Sequence, residues 1–270
     1  VEIEATFQGG KCIVSPDVNA LQKRKPNIEP IIYNQMKDLN DANISENKIR
    51  EGWAEKTIKK GAAECEGYAT LYKCLCDLVS IECVIIPGNT KTSRTQIGLS
   101  DLEVNHAWNA IKTDSLWEFV DVTWGAGYLD FETKTFYPLY DPTYFLTLPE
   151  KFYLNHFPQD TNFLFVDKTA EEFINLPLFY SEYINADIDI TQPEDGILHI
   201  VDDSKLIFQF RAESNPSKIY YQYDDDQFLL SSRVYKKGDY YEFTLPAPIE
   251  ENKFLTLFVD NKEIATYKIE

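Results

Sequence analysis

No apolar run in the 270-residue chain approaches the roughly 18 residues that a membrane-spanning helix needs; stretches such as Phe163-Leu164-Phe165-Val166 are as long as they get. No membrane span is expected. Positive charge is scarce too, with 26 Lys and Arg against 44 Asp and Glu and a net charge of −18. Nucleic acid calls for clustered Lys and Arg that displace counterions, and an anionic membrane surface makes the same demand, so neither partner is expected. The five cysteines include no C-x-x-C pair. Cys74 and Cys76, two apart on a helix, point roughly 200° away from each other, so half a zinc site is missing. No metal and no other cofactor is expected. An odd cysteine count in a chain too long to need a disulfide framework directs attention to a reactive thiol. Met36 is the one methionine and the chain starts at Val1, as expected of a trimmed start or a removed signal peptide. The second alternative implies a secreted, periplasmic or cell-surface protein, the first a cytoplasmic one.

What is present is apolar and aromatic. With 44% hydrophobic and 14% aromatic residues, the chain can offset its conformational entropy by burial, so it folds as one large domain or two ordinary ones. Ile32, Met36, Leu39, Ile44, Ile49, Trp53 and Ile58 recur near helical spacing, with residues 40–43 as a break between two helices. Ala69, Tyr72, Leu75, Cys76 and Val79 predict one buried helical stripe over residues 65–79. Val84-Ile85-Ile86 reads as a strand closed by a turn at Pro87-Gly88. Residues 104–111 and 116–122 form a hairpin about Thr113-Asp114. After residue 185 the pattern changes to short strands at 206–210, 219–223, 228–231, 240–245, 254–259 and 264–269, about ten residues apart, as in a small β-sandwich. The division expected is 1–185, α+β, and 186–270, all-β.

A nucleophilic cysteine needs a base and a group that orients the base. Cys65 opens a helix, where the positive end of the dipole favours a thiolate, and Gly67 lets a substrate backbone approach. Cys74 and Cys76 lack that setting. Of His106, His156 and His199, only His106 has an evident orienting acid. A hairpin symmetric about Thr113-Asp114 sets His106 opposite Asp121, where directly opposed β carbons are about 4.5–5.5 Å apart. The same register pairs Trp108 with Phe119, Ala110 with Trp117, Ala107 with Val120 and Ile111 with Leu116. Asp121 would hold the imidazole in one tautomer and stabilise its charged form, and a charged His106 would favour the thiolate. Trp53 reads as core and His156 as structural or cleft-lining. Asp224-Asp225-Asp226 lacks the spaced ligands of a calcium loop and reads as a solvated turn.

The segments Gly61-Ala62-Ala63-Glu64-Cys65-Glu66-Gly67-Tyr68-Ala69, Asn105-His106-Ala107-Trp108-Asn109 and Trp117-Glu118-Phe119-Val120-Asp121-Val122-Thr123-Trp124-Gly125 resemble three signature blocks of the transglutaminase-like superfamily. Leu148-Pro149-Glu150-Lys151-Phe152 through His156-Phe157-Pro158 is similar to the segment after the triad in its bacterial and kyphoscoliosis-peptidase-like branches. The resemblance covers roughly residues 45–180. It implies a papain-like α+β core with Cys65 as nucleophile, His106 as base and Asp121 as orienting acid. Glu66, Gly67, Trp108 and Trp124 would line the cleft, and an Ig-like sandwich would come after the core. Here Ala63-Glu64 stands where the family has a small residue and one spacer. The Cys65 N–H is one oxyanion donor, and the blocks name no second. Members cleave peptide or amide bonds or pass the acyl group to an amine. The expectation is a monomeric cysteine peptidase or amidohydrolase acting on a protein or peptide. The alternatives are a protein-glutamine acyltransferase, and a non-catalytic module that binds protein or glycan.

Overall fold

The computed structural model describes the backbone of residues 6–7, 10–11, 15–16 and 44–49, and residues 50–114, 116–130, 133, 135–200, 205–224, 226–248 and 253–270 in full. The expected helix through Ile32, Met36 and Leu39, the break at 40–43 and Cys12 lie outside the described residues. The fold is α+β, two longer helices and several short ones among mostly antiparallel strands, and it divides into two compact units. The first takes the described residues up to Thr90, with Glu103–Phe152 and Phe157–Val166. The second takes Lys91–Leu102, Tyr153–His156 and Asp167–Glu270.

In the first unit, α1 (Ile44–Lys60) precedes α2 (Cys65–Leu78), and α2 packs on an antiparallel sheet. The sheet comprises β1 (Cys83–Thr90), β2 (His106–Thr113), β3 (Leu116–Val120), β4 (Phe145–Thr147) and β5 (His156–Pro158), in the order β4-β3-β2-β1-β5. The buried stripe of α2 differs from the one expected. It runs through Cys65, Ala69, Tyr72 and Cys76, facing Ile85 and Ala107 at one end and Cys83, Ile111 and Val120 at the other. Val79 is 59% exposed, because α2 ends at Leu78 and Ser80 comes next but one at φ 61°. The stripe therefore starts one turn earlier and includes the cysteine itself.

Two further expectations are corrected. Pro87-Gly88 is no turn: β1 continues through both, with Pro87 opposite Ala107 and Gly88 opposite His106. A Cβ on Gly88 would lie 2.3 Å from the Phe157 carbonyl oxygen and 2.3 Å from the Trp108 ring, so the glycine serves close strand packing. The β2–β3 register is also shifted by two from the one expected. Asn109 faces Val120, Ala110 faces Phe119, Lys112 faces Trp117 and Thr113 faces Leu116. Thr113 stays in the strand, where its branched side chain resists positive φ, and Asp114 enters the turn at φ 46°. A slip of two leaves every side chain on its original face, since strand side chains alternate with period two.

The second unit contains α4 (Ala170–Asn175), β6 (Leu178–Phe179) and α5 (Ser181–Asn185), after the short α3 (Val122–Gly125) of the first. Its remaining strands are β7 (Asp189–Gln192), β8 (Ile197–Leu198), β9 (Lys205–Arg211), β10 (Lys218–Tyr223), β11 (Leu230–Arg233), β12 (Tyr235–Lys237), β13 (Tyr240–Pro246), β14 (Phe254–Val259) and β15 (Lys262–Ile269). One sheet has the order β6-β15-β14-β10-β11, with β8 parallel beside β15; the other is β7-β9-β13-β12. Both contribute to one core in which Phe208 stacks on Phe243 at 4.9 Å and meets Tyr267 edge-on at 5.2 Å. The strand expected at 228–231 starts two residues later, and Phe228 is 75% exposed. The unit does not begin at 186, because β6 pairs with β15 and Phe179 and Tyr183 belong to its core. Lys91 is tied in as well: its buried Nζ donates to the carbonyls of Phe173 and Leu176, at 2.8 and 2.7 Å, at the end of α4. Asp224 accepts from the Phe254 N–H and Asp226 from the Tyr223 N–H, so these acids serve turns of the fold.

Candidate active site

Cys65 is the first residue of α2, after Glu64 in an extended conformation (φ −88°, ψ 176°). The thiol sits at the positive end of the helix, where an anion is favoured by roughly 0.3–1 kcal/mol at exposed sites and more when buried. Cys65 is 6% exposed and packs with Ala69, Ile85 and Ala107. Asn109 fixes the helix against the sheet: its Nδ2 donates to the Ala69 carbonyl at 3.0 Å and to the Val84 carbonyl at 3.3 Å. This link is missed by a search for titratable groups. The signal that would have found it is a polar side chain in the middle of an otherwise apolar strand, which must find partners when buried.

His106 opens β2 and Asp121 comes directly after β3, and both are buried. In the observed register Asp121 lies diagonal to His106 on the same face. Diagonal pairs are farther apart than opposed ones yet within reach of long side chains. His106 Nε2 and Asp121 Oδ2 are 2.6 Å apart. Asp121 is held in turn as the N-cap of α3, its Oδ1 accepting from the N–H groups of Thr123 at 2.9 Å and Trp124 at 3.1 Å. One carboxylate thus starts a helix with one oxygen and orients an imidazole with the other.

With Nε2 engaged by Asp121, Nδ1 is the nitrogen left to face the thiol. Burial by itself disfavours the imidazolium. Once the thiol is ionised, the charge of Asp121, then that of Cys65, and hydrogen bonds to both outweigh burial and raise the His106 pKa from 6.5 to about 10. The Trp124 ring lies 5.7 Å from the imidazole, and Trp108 stacks at 6.3 Å on the same ring. Trp124 is half-buried, whereas Trp108 is 1% exposed and meets Phe152 at 5.7 Å. Trp108 therefore backs the imidazole from within the core.

The remaining candidate residues take varied places. Glu66 is buried, and its Oε2 accepts from the Cys65 Sγ at 3.3 Å. A Cβ on Gly67 would lie 2.6 Å from the Ala63 Cβ and 2.9 Å from the Thr57 Oγ1, so its bareness is used by the packing of α1 and the residues before α2. Trp53 is half-buried on α1, and His199 is exposed. His156, the first residue of β5, pairs its Nδ1 with the Asn155 Oδ1 at 2.6 Å. Cys74, Cys76 and Cys83 are free thiols, and burial pushes the Cys74 pKa up.

No protein-family model matches the chain. It is 32% identical over 171 residues to a mouse kyphoscoliosis peptidase, a match that covers 62% of this chain and 26% of the relative. It is 26% identical over 227 residues to hillarin of Drosophila melanogaster, covering 72% of this chain and 27% of that one. A Caenorhabditis elegans protein named Lim and transglutaminase domain protein ltd-1 is 38% identical over 106 residues, 35% of this chain and 15% of that one. The chain thus spans about a quarter or less of the length of the curated relatives it matches. Its similarity to a kyphoscoliosis peptidase and to a transglutaminase-domain protein suggests a transglutaminase-like family.

Proposed function

We propose that this chain is a thiol enzyme that acts on peptide-like amides through an acyl-thioester on Cys65, in a papain-like core of the transglutaminase-like superfamily followed by an Ig-like accessory sandwich. The observation that carries this reading is the buried 2.6 Å His106–Asp121 pair beside a thiol that opens a helix. His106 Nδ1 takes the thiol proton, and Sγ attacks the amide carbonyl. The resulting imidazolium returns the proton to the leaving amine, and an acyl-thioester remains. Water or a second amine, deprotonated by His106, then releases the acyl group. Hydrolysis draws support from the relatives named peptidases, and transfer from the one named for a transglutaminase domain. A charge of −18 favours neutral or basic protein and peptide substrates.

Iodoacetamide labelling near neutral pH, mapped by mass spectrometry, tests the nucleophile. Cys65 is expected to label at least tenfold faster than Cys74, and His106→Ala to remove the difference. Equal slow labelling of both thiols would overturn the reading. Ammonia release from a casein-type substrate, with and without a primary amine, separates hydrolysis from transfer. The second reading, a non-catalytic binding module, is favoured by the 6% exposure of Cys65, and the same labelling result decides it.

A further inference from the structure

Glu66 is the second residue of α2 and places a carboxylate against the candidate nucleophile. Its Oε2 accepts a hydrogen bond from the Cys65 Sγ at 3.3 Å, and both residues are buried. His106, whose Nε2 is engaged by Asp121, is near enough to Cys65 for the charge on an ionised sulfur to raise its pKa. One thiol proton therefore has two acceptors of opposite consequence. Passing it to the imidazole forms an ion pair and a thiolate. Leaving it between sulfur and carboxylate keeps the thiol, because a negative charge beside an emerging thiolate opposes it, more strongly when water is excluded.

We propose that Glu66 is a positioning residue that competes with His106 for the Cys65 thiol proton and so sets how readily the thiolate forms. This rests on the reading of Cys65 as the nucleophile. Activation is then the transfer of one proton from the Sγ–H···Glu66 arrangement to His106 Nδ1, giving imidazolium and thiolate with Glu66 still a carboxylate. No oxidant and no further reactant takes part. A substrate N–H or ammonium group that hydrogen-bonds to Glu66 would favour that transfer, which agrees with a preference for basic peptides.

A structural role alone is also available to Glu66, since an acid in the first turn is favoured by the positive end of the helix dipole. The two roles part in the pH profile of alkylation. In Glu66→Gln the carboxylate charge is gone while the side-chain length is kept. The midpoint of Cys65 labelling by iodoacetamide is expected to move down by about one pH unit, with labelling about tenfold faster at pH 6. Glu66→Asp keeps the helix-terminal charge but withdraws the carboxylate by one methylene, so its profile is expected to move in the same direction with an unchanged thermal midpoint.

Profiles of both variants that coincide with the parent protein, or a midpoint that moves up, overturn the inference while an activated Cys65 in the parent leaves the enzyme reading intact. If Cys65 labels no faster than Cys74 in the parent, the enzyme reading falls and the inference falls with it.

Discussion

Asp121 carries two tasks on two oxygens, and replacing it separates them. In Asp121→Asn the Oδ1 can still cap α3 through the Thr123 and Trp124 N–H groups, so the fold is expected to persist. The amide nitrogen cannot accept from His106 Nε2–H, and the imidazole loses its orientation. Turnover on a peptide amide is expected to fall by about 10²–10⁴-fold with little change in thermal midpoint. The raised pKa of His106 also has a stability consequence. A group charged more readily in the folded than in the unfolded state contributes most below its unfolded pKa, near 6.5, and loses that contribution as pH rises through about 10. Urea unfolding should therefore show a difference between the parent and His106→Gln that is constant below pH 6 and shrinks steadily from pH 6.5 to 10. At this scale the sequence is informative, because a thiol at a helix start and a histidine near an acid across a hairpin are local patterns. The Gly67 packing and the Asn109 link were not legible, since both depend on what α1 and α2 meet after folding.

Among the elements, β1 shows how local rules can mislead. Pro87-Gly88 has the composition of a turn, yet the two residues continue a strand between β2 and β5. Glycine is needed there because the Phe157 carbonyl, the Pro158 Cα and the Trp108 ring all approach its missing side chain within 3 Å. Gly88→Ala is expected to cost roughly 1–3 kcal/mol, read as a lower urea midpoint at unchanged slope. Since Gly88 pairs with His106, activity should fall as well. The β2–β3 hairpin misleads more mildly. Its apolar pattern placed both strands and the right faces, but whether Thr113 belongs to the turn or to the strand lies in the backbone preference of one threonine. The error of two in register preserved the face shared by His106 and Asp121 and changed the contact from opposed to diagonal.

In the molecule as a whole, the two units are interleaved in sequence, so truncation by composition cuts through one of them. Deleting residues 186–270 leaves Phe179 and Tyr183 without the strands that bury them, and leaves β6 without β15. Insoluble protein is expected, whereas a soluble, monomeric and active 1–185 fragment would show that residues 167–185 fold independently of the sandwich.

The alternation of apolar and polar residues determined the β-rich part after residue 185, whose strands at 206–210, 219–223, 240–245, 254–259 and 264–269 are found with ends displaced by at most two residues. Alternation is local and is read without knowing what the strand packs on. The helix that starts at Cys65 was determined in the same way. Tertiary structure alone decided where the second unit begins, which residues β1 passes between, and that Glu66 meets the Cys65 thiol. Each of these depends on segments distant in sequence being brought to packing distance, or on a side-chain rotamer chosen by burial, and neither leaves a periodic mark on the chain.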